Sequence, residues 1–411
     1  MLGTGLSEKI TFRGSAEGQR ASMRIKDVKA WWVRIPIETQ RQHRSDFGQV
    51  RTFDAAILRI ETDDGIVGWG EGKNAAGSAG TYGALVHMLN HEIGPELIGR
   101  DAADISTIWE MLYNGVRHQT AAAGGHAMPN IARRGMTVAA ISAVDIALWD
   151  ILGKSLGVPV WKLLGGRKAE KMPAYASGGW ANAEQIGDQL KSYISTGGFK
   201  AVKMRVGAMD GAPHLSAARV RAAREALGDD VEIMVDAHGT YTVADAKRFI
   251  HLVSDCNLAW FEEPVIADDK AGIAEVRAAG CVPIATGESE ATRYAFRDLA
   301  VLKAADIFQP DPAFCGGITE TMRIGTIASA FNLRLAPHLW AGAPCFFAGL
   351  NICAASPASF TVEYSVGANP MIHDLVEETV EVKDGLIAIP DRPGLGFTIS
   401  EPFLKAHIHS G

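Results

Sequence analysis

The chain has 411 residues, 47% of them hydrophobic, and a formal net charge of −7. It is long enough for a full barrel and a second domain, and its interspersed charges argue against a nucleic-acid groove or an anionic membrane surface, which leaves a small molecule as the expected partner. The five cysteines lack disulfide or zinc spacing and no run approaches a membrane span, so a reduced, cytoplasmic protein is expected.

The chain opens with a polar stretch, residues 1–22, which lacks the apolar core of a secretory signal and is predicted to be an extension. From Met23, two β-rich runs, IKDVKAWWVRIPI and FDAAILRIETDDGIVGWGEG, predict a small sheet with a hairpin turn at TDDG. Helical spacing follows in three stretches: 80–99, 103–117 and 139–157. Residues 23–157 are therefore predicted to form an α+β unit.

Beyond this unit, eight short apolar runs alternate with amphipathic stretches. The runs are MPAYASG, KAVKMRV, EIMVDA, LAWFEE, PIATGE, ADIFQP, LRLAPH and FTVEYS, and an amphipathic stretch follows each of them but the last. Residues 158–374 are therefore predicted to form a β/α barrel of eight strands, or one with a degenerate last unit. The segment 375–411 returns to strand and turn character and is predicted to complete the opening sheet.

Three acidic residues close three consecutive runs of the predicted barrel. Asp236, Glu262 and Glu288 each precede a loop, and both intervals between them are 26 residues, about the length of a strand and a returning helix. The three carboxylates are therefore predicted to meet at the barrel rim, where hard oxygen ligands without Cys or His suit Mg²⁺. A single acid after a strand is more often a solvated loop residue, but three in register favour a metal site.

Several local patterns resemble the enolase superfamily, in its mandelate racemase-like branch. They are SAVDIALWDILGKSLGVPVWKLLGG, KMRVG, VDAHG, WFEEP, TGES, QPDPAFCGGIT, APHLW and VEYS, and the resemblance covers nearly everything from Met23 onward. It implies an α/β protein with a modified (β/α)7β TIM barrel, an N-terminal capping domain and Mg²⁺ bound at the positions of Asp236, Glu262 and Glu288. It also implies a homo-oligomer that abstracts a proton alpha to a carboxylate, with the ion stabilising the enediolate.

A histidine and an aspartate end two neighbouring strands. His338 lies in LAPHLW and Asp311 in FQPDP. An Asp bonded to one ring nitrogen of a His fixes its tautomer and raises its basicity. The pair resembles the His–Asp dyad of the mandelate racemase branch, whereas outside this family both could be loop-capping groups.

The KAVKMRVG strand carries two basic residues on one face, Lys203 and Arg205. The family usually has Lys-x-Lys here, with the second Lys as a base, and this chain departs from that pattern. Arginine is very hard to deprotonate, so Arg205 is interpreted as a carboxylate clamp or electrostatic partner, and two-base racemisation is put in doubt. Lys203 is a candidate for contact with the substrate carboxylate or for the base; the alternative is a surface basic pair.

Two further positions carry hypotheses. His238 lies two residues beyond Asp236, where some sugar-acid dehydratases of the superfamily have His, so it is a candidate acid or base, or else a His bonded to a metal ligand. Glu363 in FTVEYS matches an acid that in relatives bonds the substrate carboxylate, a task for which a protonated Glu would serve best; the alternative is a plain strand-end acid. Glu263 follows Glu262 directly and is expected to point elsewhere, because strand neighbours face opposite ways.

The loop TQRQHRSDFGQV lies between early strands, where the capping domain of this family covers the barrel mouth. His43, Arg44, Asp46 and Phe47 could read a hydroxylated chain or a distal carboxylate, and an unremarkable exposed loop is the equal alternative.

Together these features favour a Mg²⁺-dependent dehydratase that converts an aldonate or aldarate to a 2-keto-3-deoxy acid. Lys-x-Arg removes one usual base, while His238 and His338 remain available as acids to protonate the departing hydroxyl. A racemase or epimerase of a 2-hydroxy acid is the main alternative, and a non-catalytic metal-binding barrel is a remote one.

Overall fold

The protein is described by a computed structural model. It covers the backbone of residues 23–37, 43–45, 48–74, 81–115, 133–367 and 369–410, and the side chains of these residues except 43–50. The predicted polar extension, residues 1–22, lies outside the described residues.

The N-terminal domain opens with an antiparallel sheet of three strands in the order β1-β4-β5. Its strands are β1 (Ile25–Pro36), β4 (Thr52–Thr62) and β5 (Val67–Gly72), and the short strands β2 (His43–Ser45) and β3 (Gly48–Val50) pair with each other. The TDDG turn between β4 and β5 is confirmed: the Gly65 amide donates to the Thr62 carbonyl, and Gly65 has φ +84°, which a side chain would disfavour.

Helices cover one face of this sheet. They are α1 (Gly83–Met88), α2 (Gly94–Leu97), α3 (Ile105–Asn114), α4 (Met136–Leu156) and α5 (Val160–Leu163), with a π-helical turn, Leu89–Ile93, between α1 and α2. Helix α4 is long and apolar enough to cross a membrane by length and composition, but 78% of its apolar window is buried inside the protein, which is typical of a core helix.

The glycines of GWGEG explain how β5 and α4 come together. A Cβ atom built on Gly70 would lie 1.9 Å from the carbonyl oxygen of Ala143, and one on Gly68 would lie 2.2 Å from that of Ala147. Because neither glycine has a side chain, the helix backbone lies directly on the strand. This contact joins the capping sheet to the helix that leads toward the barrel.

The barrel consists of eight parallel strands and seven following helices, which confirms the predicted modified (β/α)7β fold. The strands are β6 (Lys171–Ser177), β7 (Ala201–Arg205), β8 (Glu232–Asp236), β9 (Leu258–Glu262), β10 (Ile284–Thr286), β11 (Ile307–Phe308), β12 (Arg334–Leu335) and β13 (Val362–Ser365). The helices are α6 (Ile186–Gly197), α7 (Pro213–Leu227), α8 (Val243–Leu252), α9 (Lys270–Ala278), α10 (Thr292–Val301), α11 (Gly317–Ala330) and α12 (Ala343–Ala355). Parallel pairing of β13 with β6 at one end of this row of strands, and a single bridge between Leu335 of β12 and Ser359 just before β13 at the other, close the barrel.

The C-terminal segment differs from its prediction in part. After the short helix α13 (Pro370–His373), strands β14 (Val382–Lys383) and β15 (Leu386–Ala388) form a hairpin that extends the barrel sheet, not the opening sheet. The reason is that β13 pairs only with the second half of β6. The backbone of the first half of β6 is therefore available, and β15 pairs with it.

The last residues of the chain do return to the capping domain. After helix α14 (Glu401–Ala406), Ile408 bridges to Val33 of β1, and the Arg34 amide donates to the His407 carbonyl. The C-terminal segment therefore ties the two domains together.

Candidate active site

Three carboxylates meet where β8, β9 and β10 end. Asp236 and Glu262 are the last residues of β8 and β9 and are register partners, and Glu288 lies two residues beyond β10. All three are buried, and one oxygen atom of each lies within 4.8 Å of the others. This cluster, called the acidic triad below, gives three oxygen donors at the spacing of one cation.

The surroundings of the acidic triad fit a divalent cation. Asp236 Oδ2 and Glu288 Oε2 are buried and accept no hydrogen bond of regular geometry from the described residues. Two hydrogen bonds orient the Glu262 carboxylate: its Oε2 accepts from the Trp260 indole at 3.0 Å and from the Gln309 amide at 2.7 Å. Hard oxygen donors oriented by outer hydrogen bonds are a donor set that Mg²⁺ prefers.

Lys203 and Arg205 lie beside the acidic triad and are buried, so they are not a surface pair. The Lys203 ammonium is 2.5 Å from Glu262 Oε1 and 2.9 Å from Glu363 Oε1, and the Arg205 guanidinium contacts Asp236 Oδ2. Burial alone would lower the pKa of Lys203, but these carboxylates raise it. Both residues therefore act as cations that balance the charge of the acidic triad.

His238 lies at the Asp236 end of the acidic triad. Its Nε2 is 3.3 Å from Asp236 Oδ2, and its backbone N–H donates to Asp236 Oδ1 at 2.8 Å. The φ of His238 is +45°, an uncommon value outside glycine that brings the ring back beside the preceding strand end. This position agrees with the hypothesis that His238 faces the acidic triad. The contact with Asp236 is expected whether His238 is an acid or base or only bonds a metal ligand.

His338 lies at the opposite, Glu288 end. Its Nδ1 is 2.9 Å from Asp311 Oδ2, and its Nε2 is 3.4 Å from Glu288 Oε2. Burial and the charge of Lys73 lower the pKa of His338, but Glu288, Glu363 and Asp311 outweigh them and raise it. The ring is thus held at Nδ1, while Nε2 faces the acidic triad.

Lys73, which the sequence reading missed, comes from the capping domain. It follows β5, is 3% exposed, and donates to Asp311 Oδ2 at 2.9 Å and to the Trp340 carbonyl at 3.0 Å. Burial would raise the pKa of Asp311, but Lys73 and His338 lower it to about 2. The only signal in the sequence was a Lys directly after a glycine-rich strand, and nothing there indicates its burial.

Glu363 is held at both of its carboxylate oxygens. Its Oε2 accepts from the Leu339 amide at 2.8 Å, and its Oε1 contacts Lys203. Burial would raise the pKa of Glu363, but the charges of Lys203 and His338 outweigh it and lower the pKa, which disfavours the protonated form that would serve best toward a substrate carboxylate.

Glu263 points away from the acidic triad, as expected. Its Oε1 accepts from the Thr286 hydroxyl at 2.5 Å and from the Gly287 amide at 2.9 Å. Burial and the nearby Glu288 raise the pKa of Glu263 to about 8. This raised pKa is what a buried acid beside the Glu288 carboxylate is expected to show.

Three buried hydroxyl groups lie on the paired strands β6 and β13. The sequence analysis did not predict them. Ser177 pairs in register with Ser365 and Tyr175 with Glu363, and the hydroxyls of Ser177, Ser365 and Tyr175 are buried without a hydrogen-bond partner among the described residues. The period-2 spacing in YAS and EYS could have indicated this group, because Tyr175, Ser177 and Ser365 share the sheet face of Glu363.

The predicted substrate loop is described only in part. His43 and Arg44 belong to β2 and pair with Val50 and Gln49 of β3. Asp46 and Phe47 lie outside the described residues. The role of all four in substrate recognition stays a prediction.

Comparison with known proteins agrees with this fold. A family model described as "Mandelate racemase / muconate lactonizing enzyme, N-terminal domain" matches residues 29–165, and one described as "Enolase C-terminal domain-like" matches residues 185–403. The chain therefore belongs to the mandelate racemase / muconate lactonizing enzyme family of the enolase superfamily, as the sequence motifs predicted.

Alignments to related proteins cover most of the chain. It is 34% identical over 360 residues to D-galactarolactone cycloisomerase from Agrobacterium fabrum, covering 85% of this chain and 89% of that protein. It is also 34% identical over 353 residues to arabinonate dehydratase from Saccharolobus solfataricus, covering 85% and 89%. A solved racemase from Streptomyces coelicolor with bound magnesium superposes with a TM-score of 0.82 at 31% identity, covering 94% of this chain and 100% of that one.

Proposed function

We propose that this protein is a Mg²⁺-dependent dehydratase of acid sugars, acting on an aldonate or aldarate. In this reaction the bond from the alpha carbon to hydrogen and the bond from the beta carbon to oxygen both break, water leaves, and the resulting enol tautomerises to a 2-keto-3-deoxy acid. The relatives named as an arabinonate dehydratase and a galactarolactone cycloisomerase support this substrate class.

One observation carries the proposal: two imidazoles meet opposite ends of the acidic triad. Nε2 of His238 lies beside Asp236, and Nε2 of His338 lies beside Glu288. Dehydration needs a base for the alpha proton and an acid for the departing hydroxyl, and two separated imidazoles supply both.

We assign the base to His338 and the acid to His238. Asp311 accepts from Nδ1–H of His338, which leaves the Nε2 lone pair free to take the alpha proton. The Nε2 of His238 lies 3.3 Å from Asp236 Oδ2, at the end of the acidic triad opposite His338, and we therefore assign it the acid role. Protonated His238 then delivers a proton to the beta-hydroxyl, which leaves as water.

The remaining residues bind and balance charge. Lys203 and the hydroxyls of Ser177 and Ser365 line one side of the site, where they can donate to the substrate carboxylate and its hydroxyls. Asp236, Glu262 and Glu288 would hold one Mg²⁺ per subunit, which when bound stabilises negative charge that develops on the substrate carboxylate.

Arg205 separates dehydration from racemisation. A racemase needs a second base that takes or returns the alpha proton on the other face, and Arg205 occupies the position where the family usually has that lysine. Its guanidinium is engaged by Asp236 and is not a practical base, which argues against the racemase or epimerase alternative.

The test is a panel of aldonates, aldarates and their lactones with Mg²⁺, read by formation of 2-keto-3-deoxy acids and, in D₂O, by deuterium incorporation alpha to the carboxylate. The proposal predicts a keto product from at least one acid. Deuterium exchange without a keto product would instead favour a racemase or epimerase, and bound metal without either would favour a non-catalytic barrel.

A metal control accompanies the panel. Glu288→Gln should abolish turnover and the rise in melting temperature that Mg²⁺ gives the wild type, because a ligand that binds only the folded state stabilises it. Full activity of Glu288→Gln would contradict the metal assignment. Cytoplasmic location, homo-oligomer formation and substrate reading by His43, Arg44, Asp46 and Phe47 remain part of the proposal.

A further inference from the structure

The two catalytic loops after β11 and β12 are joined by a residue from the other domain. Lys73 is buried at the junction, and its ammonium donates both to Asp311 Oδ2 and to the carbonyl of Trp340, two residues after His338. Its backbone N–H also donates to the carbonyl of Ala313, two residues after Asp311. Lys73 therefore contacts both loops that carry the dyad.

The Asp311 carboxylate shows what this contact does. Its Oδ1 accepts from the Ala313 amide at 2.9 Å and lies 3.5 Å from the Cys345 thiol, and its Oδ2 is shared between Lys73 and His338, each at 2.9 Å. With both oxygens engaged the carboxylate has one orientation, and the direction of the imidazole follows from it.

We infer that Lys73 is a positioning residue for His338: by bridging the Asp311 and Trp340 loops, the docked capping domain aims the imidazole Nε2 at the acidic triad. Lys73 touches no reacting atom in this scheme. The capping domain thereby contributes to the proton-transfer machinery as well as covering the barrel. The inference rests on the proposed function, because His338 is taken as the base.

Other contacts between the domains supply a matched control. Asp145 of α4 is also a buried carboxylate at the domain junction, and its Oδ2 accepts from the Thr319 amide at the start of α11 at 2.9 Å. Within the described part of the chain, its hydrogen bonds go to Thr319 and not to Asp311 or His338. Asp145→Asn therefore disturbs the same junction without disturbing the dyad.

The decisive variant is Lys73→Met, which removes the charge and keeps the chain length. We expect its kcat for dehydration to fall about 10- to 100-fold, the range seen when outer hydrogen-bond partners of a site are lost, with KM nearly unchanged. Asp145→Asn should keep the wild-type kcat. The double variant Lys73→Met/Asp311→Asn should be no slower than Asp311→Asn alone, because both changes remove one alignment.

A second readout does not depend on activity. In the metal-loaded protein, the Nδ1–H proton signal of His338, assigned by its loss in His338→Asn, should move or broaden in Lys73→Met and stay in place in Asp145→Asn. Lys73→Gln, which keeps a donor for the Trp340 carbonyl without the charge, replaces Lys73→Met if the latter does not fold.

The outcomes separate the two claims. An active wild type whose Lys73 variant keeps both its kcat and its His338 signal would overturn the positioning role. A wild type inactive on every acid, with the His338 signal still displaced in Lys73→Met, would overturn the proposed function and leave the positioning role standing. Additive losses in the double variant would also refute a shared alignment.

Discussion

His238 and His338 are the same side chain in two different surroundings. His338 is bonded at Nδ1 to Asp311 and sits among buried groups, whereas His238 lies on a left-handed backbone beside Asp236. At the residue scale, these different neighbours are the basis on which we propose a base and an acid, and substitution of each His by Asn tests the proposal.

We predict opposite effects of two Asn variants. His338→Asn should abolish both dehydration and exchange of the alpha proton in D₂O, by about 10²-fold or more, because the base is lost. His238→Asn should lose dehydration but keep alpha-proton exchange, because only the acid is lost. Rates of keto-acid formation and NMR of the recovered substrate measure the two steps. Exchange that survives in His338→Asn would reverse the assignment.

Arg205 gives a second residue-scale prediction. Arg205→Lys should retain measurable dehydration and exchange the alpha proton faster than the wild type, because it restores the lysine usual in the family without removing either imidazole. His238→Asn should lose much more dehydration than Arg205→Lys under the same conditions. A dead Arg205→Lys beside a near-normal His238→Asn would show that the guanidinium is essential to the chemistry.

At the scale of elements, the site depends on strands that end at one rim and on a helix placed directly against a strand. The register pairing of Asp236 with Glu262 brings the first two carboxylates of the acidic triad together. The β5–α4 contact fixes the strand whose end carries Lys73, and it is possible only because Gly68 and Gly70 lack side chains.

We therefore predict that Gly70→Ala destabilises the protein. The new Cβ would lie 1.9 Å from the Ala143 carbonyl oxygen, a backbone atom that cannot turn aside, so strand and helix must separate. The expected loss in free energy of unfolding is about 1–3 kcal/mol or more, measured by denaturant unfolding. The control is Gly83→Ala in α1, where the nearest atom is 3.8 Å away and the effect should be small. Equal effects of both substitutions would contradict this packing.

At the scale of the whole molecule, the junction of the two domains contains buried ionisable groups. Glu71 of β5 accepts from the amides of Gly342 and Cys345 at the start of α12, at 2.8 and 3.2 Å. Burial, the largest influence, raises the pKa of Glu71 from its ordinary 4.5 to about 7, although these amides oppose the shift. Domain docking is therefore linked to pH.

The sign of this link follows from the raised pKa. Protonated Glu71 is favoured in the folded state, so its stabilisation is complete below about pH 4.5 and is lost as the pH rises through about 7. Over that window, the free energy of unfolding of the wild type should fall relative to Glu71→Gln by about 3 kcal/mol. Urea unfolding of both proteins between pH 4.5 and 8 measures the difference, and parallel pH profiles would contradict it.

Much of the architecture was readable from local pattern. Short apolar runs alternating with amphipathic stretches predicted all eight barrel strands, and the equal intervals among Asp236, Glu262 and Glu288 predicted their meeting, because a repeated strand–helix unit places equivalent residues at one rim. Family motifs pointed to His338 and Asp311, which lie in hydrogen-bond contact. These are properties that a short stretch of chain determines for itself.

The tertiary structure decided those properties that depend on groups distant in sequence. Lys73 meets Asp311 across 238 residues, β15 pairs with the half of β6 that β13 leaves free, and the pKa of Glu363 is lowered because Lys203 and His338 lie beside it. Burial and charge pairing are set by the whole fold, and no local pattern states them. The sequence therefore determined which chemical groups are present and at which strand ends, whereas only the folded chain decided their partners and hence their protonation.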